Sequence, residues 1–86
     1  MGNWHEGTIG TSINKPDPGK IVHYWVKTCE EGDEAFGLEG GKIIKLQCKV
    51  NGETVINYDR GWDVEPDLDD VDIARAYAII LASYNY

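Results

Sequence analysis

The chain has 86 residues, enough for one domain, and a domain this short buries only roughly 60 to 65% of its unfolded surface. Its formal net charge of −7 argues against binding DNA or RNA through a broad basic footprint. The longest apolar run, Ala76 to Ala82, is seven residues, far short of the ~20 that a membrane-spanning helix needs.

Small domains compensate for a thin core with disulfides, a metal or oligomerisation. Cys29 and Cys48 form no Cys-x-x-Cys pair, and the other soft ligands, His5 and His23, are scattered. No metal and no cofactor is therefore expected. The opening Met1-Gly2-Asn3-Trp4-His5-Glu6-Gly7 has neither a basic start nor an apolar stretch. No secretory leader and a cytoplasmic location are expected, where two cysteines are more often thiols than a disulfide. Oligomerisation is the remaining route.

The first predicted element runs from Trp4 to Ile13, a weakly alternating edge strand that contains Gly7 and Gly10. It ends at the turn signal Asn14-Lys15-Pro16-Asp17-Pro18-Gly19. A second strand spans Lys20 to Cys29, with Val22, Tyr24 and Val26 toward the core and His23, Trp25 and Lys27 away. The glycine-rich, acidic stretch Glu30 to Gly41 reads as a loop, pinned by Phe36 and Leu38 tucking inward.

The third strand, Lys42 to Val50, is expected to point Ile44, Leu46, Cys48 and Val50 at the core. Ile43, Lys45, Gln47 and Lys49 then face away. The fourth, Glu53 to Asp59, carries Thr54, Ile56 and Tyr58 on one face and Val55, Asn57 and Asp59 on the other. Asn51-Gly52 between them is a strong hairpin signal. A two-residue loop would pair Val50 with Glu53 and Cys48 with Val55, put Ile56 on the face of Gln47 and split the apolar set, since a one-residue slip flips every side chain. A bulged three-residue loop, Val50-Asn51-Gly52, is expected instead; it sets Leu46 opposite Ile56, Ile44 opposite Tyr58 and Lys49 opposite Glu53.

A helix follows Pro66, with Asp67 as its expected N-cap and acids at 69, 70 and 72 suiting the positive end of its dipole. Ile73, Ala76, Tyr77, Ile80, Leu81 and Tyr84 recur at spacings of three and four and form the buried stripe. Ala74, Ala78, Ile79 and Ala82 make the other side apolar as well. One side should meet the sheet, and the other is open to a second copy of the chain or is simply exposed. The expected fold is a single α+β domain, a four-stranded antiparallel meander with one C-terminal helix packed on one face.

Catalytic patterns are weak. Cys29 or Cys48 with His23 is the one nucleophile–base set on offer, and alternation sends Cys48 and His23 to opposite faces. No catalytic residue is assigned, and a non-enzymatic binding protein is expected. Two groups of residues suit binding. The sheet face away from the helix displays Trp25, Lys27 and Lys45, which suit stacking on a base and neutralising a phosphate. The segment Tyr58 to Pro66 offers Arg60 as a planar fork and Trp62 as a stacking surface, with Gly61 letting the backbone turn. The structural alternative stands beside it: Arg60 paired with a neighbouring acid, and Trp62 filling the seam between sheet and helix.

At this segment the chain resembles a family of small uncharacterised proteins, a domain of unknown function found in bacteria and their phages. The resemblance is carried by Trp4-x-Glu6-Gly7-Thr8-Ile9, by Val26-Lys27-x-x-Glu30-Glu31-Gly32, and by Phe36-Gly37-Leu38-x-Gly40-Gly41-Lys42-Ile43-x-Lys45-Leu46. The most specific piece is Tyr58-Asp59-Arg60-Gly61-Trp62-Asp63. The long Asn14 to Gly19 turn departs from the pattern. The resemblance implies a cytoplasmic setting in a bacterium or its mobile elements and transfers no activity.

The expected function is binding of an anionic small molecule such as a nucleotide by a homo-oligomer joined through the C-terminal helix, as in a phage counter-defence sponge. Arg60, Trp62, Trp25, Lys27 and Lys45 are its expected ligand-binding residues. Two alternatives stay open. Seven acids between Asp59 and Asp72 against the single base Arg60 suit an inhibitor that mimics nucleic-acid phosphates toward a basic protein. The chain also suits a structural or assembly protein of a mobile element. Neither direct nucleic-acid contact nor membrane contact is expected.

Overall fold

Alternating side chains fold into strands as expected, but the sheet has five of them rather than four. The computed structural model describes residues 3–10, 21–32 and 37–85. The strands are β1 (Asn3–Gly10), β2 (Ile21–Thr28), β3 (Ile43–Val50), β4 (Glu53–Asp59) and β5 (Trp62–Val64), followed by the helix α1 (Val71–Tyr84). They form an antiparallel meander in the order β1-β2-β3-β4-β5, so β1 is an edge strand. The Asn14 to Gly19 turn and Phe36 lie outside the described residues. The fifth strand escapes sequence pattern because Trp62–Val64 is three residues long and all three are exposed.

The helix covers the face carrying Val22, Val26, Leu46, Cys48, Ile56 and Tyr58, all buried. Ile73, Ala76, Tyr77 and Ile80 are the buried stripe of α1, with Leu81 and Tyr84 packed at its margin. Burying each large aliphatic side chain stabilises the fold by about 1.5 to 3 kcal/mol. Leu38, in a 3-10 turn at Leu38–Gly40, also enters the core.

Two of the expected strand details are corrected. Ile43, not Ile44, is the core residue at the start of β3: Ile43 is fully buried and Ile44 only half-buried. Lys27 pairs with Lys45 but Thr28 pairs with Ile43, so Ile44 is an extra residue that reverses the alternation. The hairpin between β3 and β4 has a two-residue loop, not three. Val50 pairs with Glu53 across Asn51 and Gly52, whose φ values of 53° and 80° are those of a type I′ turn. The slip needed to keep the apolar set together occurs inside β4, where Val55 is the extra residue between Thr54 and Ile56. Cys48 therefore faces Ile56, Leu46 faces Tyr58, and Lys49 faces Thr54 rather than Glu53. Parity is as expected, and the pairing is two residues further along.

The helix N-cap is Asp70, not Asp67. Its side chain accepts from the backbone N–H of Asp72 at 3.0 Å and of Ile73 at 3.4 Å. Asp67 orders the turn before it, accepting from the Asp69 N–H at 3.1 Å. A helix begun one turn earlier would gain no burial, because Leu68 is 61% exposed.

At the other end Asn85 ties the helix to the sheet. It is 2% exposed, and its Oδ1 accepts from the Ile43 N–H at 2.9 Å while its Nδ2 donates to the Leu38 carbonyl at 2.9 Å. Its own N–H donates to the Leu81 carbonyl at 3.0 Å, and its carbonyl accepts from the Lys42 N–H at 3.2 Å. Gly41 lies so close that a Cβ there would collide with the Asn85 side chain. Asn85→Ala strands a buried amide and a buried carbonyl at about 1 to 3 kcal/mol each. A stability loss of about 2 to 5 kcal/mol in urea unfolding is expected, and a loss below about 0.5 kcal/mol would show the clamp to be dispensable.

Burial pushes the Cys48 thiol up to about 12 from 9.0, and Cys29 and Cys48 are both free thiols. A hydrogen bond of 2.9 Å to Tyr84, then burial, raises Tyr24 to about 12 from 10.0. Both groups keep their protons longer when folded. Their stabilising effect is full below the unfolded values and is lost as pH rises from about 9 toward 12. Urea midpoints measured across that range should fall less steeply in Cys48→Val than in the parent chain, and equal slopes would remove Cys48 from the account.

Candidate functional site

Antiparallel register lines up the side chains on the sheet face away from α1 in cross-strand rows. One row is Trp4, Lys27, Lys45 and Asp59, each paired with the next across β1 to β4. The next row is Glu6, Trp25, Gln47 and Asn57. The third contains Thr8, His23, Lys49 and Thr54. Three of the expected ligand-binding residues, Trp25, Lys27 and Lys45, thus stand together as the alternation implied.

Charge is concentrated at one end of this face. Lys27 and Lys45 are direct cross-strand partners, an arrangement that like charges disfavour. Lys45 Nζ lies 3.8 Å from Asp59 Oδ1, and Arg60 Nε lies 3.5 Å from the same oxygen. Two cations therefore share one carboxylate, with Lys27 next to Lys45 in the same row, in a chain whose net charge is −7. Lys27 Nζ also sits 5.8 Å from the centroid of the Trp4 ring, a cation–π contact. A depression of about 180 Å³ opens beside these groups, lined by Trp4, Lys45, Gln47, Asn57 and Asp59, together with Leu46 and Tyr58.

Trp25 is held flat in the adjoining row. Its ring stacks on His23 with centroids 4.1 Å apart, and His23 Nε2 donates to Glu6 Oε2 at 2.6 Å. Trp4, 58% exposed, completes the aromatic part of the face and was not among the expected site residues. Its row could have been found from the sequence only with the β1–β2 register in hand, and the long connection between those strands hides that register.

Arg60 joins the face through the tight link between β4 and β5. The Asp59 N–H donates to the Gly61 carbonyl at 2.9 Å, and the Arg60 N–H donates to the Ile44 carbonyl at 3.1 Å. The left-handed conformation in this turn falls on Arg60, with φ 56°, and not on Gly61. A non-glycine residue there is strained by roughly 1 to 2 kcal/mol.

Trp62 is not brought to this face. Its ring meets Tyr58 edge-on at 5.0 Å and Tyr77 of α1 at 6.0 Å, so it bridges sheet and helix in the structural role weighed for it. The acidic stretch is likewise divided. Asp59 lies beside Lys45 and Arg60, Asp67 and Asp70 bond the backbone, and Asp63, Glu65 and Asp69 are exposed. On the far side of α1, Ala78, Ile79 and Ala82 are exposed.

Cys48 lies in the core and His23 on the opposite face, so those two do not meet. Among the described residues no three His, Cys, Asp or Glu side chains gather as a metal ion would require. No described helix is long and apolar enough to cross a membrane.

Trp25 and Trp62 are both expected to contribute to stability. Trp62→Ala removes a sheet–helix contact that is 37% exposed and should cost about 2 kcal/mol. Trp25→Ala removes a more buried ring stacked on His23 and should cost at least as much in the same denaturant titration, and a loss below half of that would show the outer-face stack to contribute little.

The chain belongs to the DUF7678 family, a domain of unknown function, whose model matches residues 3–85. No curated protein and no solved structure matches it.

Proposed function

We propose that this DUF7678 protein is a non-enzymatic binding protein whose outer sheet face takes an anionic small molecule bearing a flat ring, such as a nucleotide. The observation that carries this reading is the pairing of Lys45 and Arg60 with the single carboxylate of Asp59, with Lys27 the cross-strand neighbour of Lys45. A phosphate placed there gains charge-assisted hydrogen bonds, each contributing about 1.5 to 3 kcal/mol. It also relieves the repulsion between two lysines fixed side by side. Trp4 and Trp25 flank the cations and offer ring faces for stacking. The depression of about 180 Å³ is smaller than a pocket for a whole nucleotide, so the ligand lies across the sheet with one group seated.

In this reading the binding residues are Arg60, Trp25, Lys27 and Lys45, joined by Trp4, while Trp62 is structural. The strained backbone of Arg60 supports its inclusion, since such conformations cluster at ligand clamps. The exposed apolar side of α1 is the surface we assign to pairing with a second copy. A cytoplasmic sponge for a signalling nucleotide, carried by a bacterium or phage, is the biological setting that suits these properties. A phosphate mimic directed at a basic protein is less favoured, because Asp59, Asp67 and Asp70 are already engaged within the fold.

Screening a nucleotide panel by thermal shift tests the proposal. A ligand at 100 times its dissociation constant adds about 2.7 kcal/mol, or roughly 10 to 20 °C in a domain of this size. Lys45→Glu should erase that shift while Trp62→Ala keeps it. A panel with no stabilising member would sink the reading.

Arg60 gives a sharper split between fold and function. Arg60→Gly relieves the left-handed strain and should be as stable as the parent chain or more so by about 1 kcal/mol, yet bind the panel ligand about tenfold or more weakly. Unchanged affinity in a calorimetric titration would remove Arg60 from the site.

A further inference from the structure

We infer that a second site, at the seam between β5 and α1, receives the side chain of an arginine or lysine from a partner protein. A depression of about 220 Å³ is lined there by Glu39, Trp62, Glu65, Pro66, Leu68 and Tyr77. It shares no residue with the outer-face depression. Four separate pieces of the fold supply it: the 3-10 turn, β5, the acidic connection and α1.

The lining selects the charge of its occupant. Among the described residues no basic one contributes, and Glu39 and Glu65 are exposed and make no ion pair with another described residue. Trp62 and Tyr77 stand with ring centroids 6.0 Å apart and planes inclined at 60°, forming an aromatic corner. Ring faces carry negative potential, so carboxylates and rings together favour a cation and repel an anion. Arginine is the cation most often found on such faces, and its planar fork also matches a carboxylate.

The remaining lining selects shape. Leu68 is 61% exposed and Pro66 lies beside it, an apolar strip next to the charged part. A long aliphatic stem ending in a cation fits this sequence of surfaces, with stem on Leu68 and Pro66 and head against Trp62 and the carboxylates. The volume is below that of a pocket for a drug-sized ligand, and suits the tip of one side chain. Glu39, which lines the depression, is held at φ 52°, a left-handed conformation that costs a glutamate roughly 1 to 2 kcal/mol. Asp63 and Asp69, both exposed nearby in the chain, add long-range attraction for a basic segment.

The test is an NMR titration of the full chain that tracks its three tryptophan indole N–H signals. The probes are short blocked peptides carrying a central arginine, a central lysine or a central glutamate, and tetramethylammonium chloride. The arginine and lysine peptides should move the Trp62 signal saturably and leave Trp25 in place. The glutamate peptide should do nothing. Glu39→Gln combined with Glu65→Gln should weaken binding about tenfold without altering the fold, since both side chains are exposed. Equal binding by the doubly substituted chain, or by the glutamate peptide, overturns the inference. So does uniform movement of all three indoles, which marks general attraction to an acidic protein. Saturation by tetramethylammonium as tightly as by the peptides would assign the site to a small ammonium compound and equally overturn a protein partner.

Discussion

The hold of Asn85 on the start of β3 is the constraint on which the remaining geometry depends. One side chain supplies an acceptor to Ile43 and a donor to Leu38, while its backbone ends the helix on Leu81 and receives Lys42. A buried amide of this kind is stabilising only when it is satisfied on both sides, and here it is. The Ile43 N–H is thereby committed to the helix end, next to the place where Ile44 drops out of the β2–β3 ladder. Closing a thin core with a hydrogen-bonded clamp compensates for the limited apolar area that a short chain can bury.

Irregular pairing then decides which residues face which way. Ile44 and Val55 are each one residue too many for their ladders, and each reverses the alternation of side chains along its strand. The bulge at Val55 delivers Ile56 and Tyr58 to the same face as Cys48 and Leu46, beneath α1. The bulge at Ile44 brings Ile43 into that face too. Polar residues are left on the other face as a consequence, so the cationic row is produced by the same register that closes the core. Bulges often re-aim side chains beside functional surfaces.

Net charge proves a poor guide to local charge. An acidic chain keeps Lys45 and Arg60 beside one carboxylate on the outer face, with Lys27 next to Lys45. The seam between β5 and α1 instead combines Glu39 and Glu65 with two aromatic rings. The two surfaces are of opposite character and share no lining residue.

Local periodicities were enough to read four of the strands, their meander, the buried stripe of α1 and the shared face of Trp25, Lys27 and Lys45. Each depends on side chains two, three or four positions apart, and the forces that select them act within one element. The β3–β4 link shows where this stops: the need for a one-residue slip was legible, but its place inside β4 was set by cross-strand packing. The fifth strand, Trp62 at the seam, the cap at Asp70 and the strained turn at Arg60 belong to the tertiary structure. So does Asn85, whose side-chain partners lie 42 and 47 residues away. A pattern of neighbours carries no record of contacts at that separation, and they exist only once the chain has closed on itself.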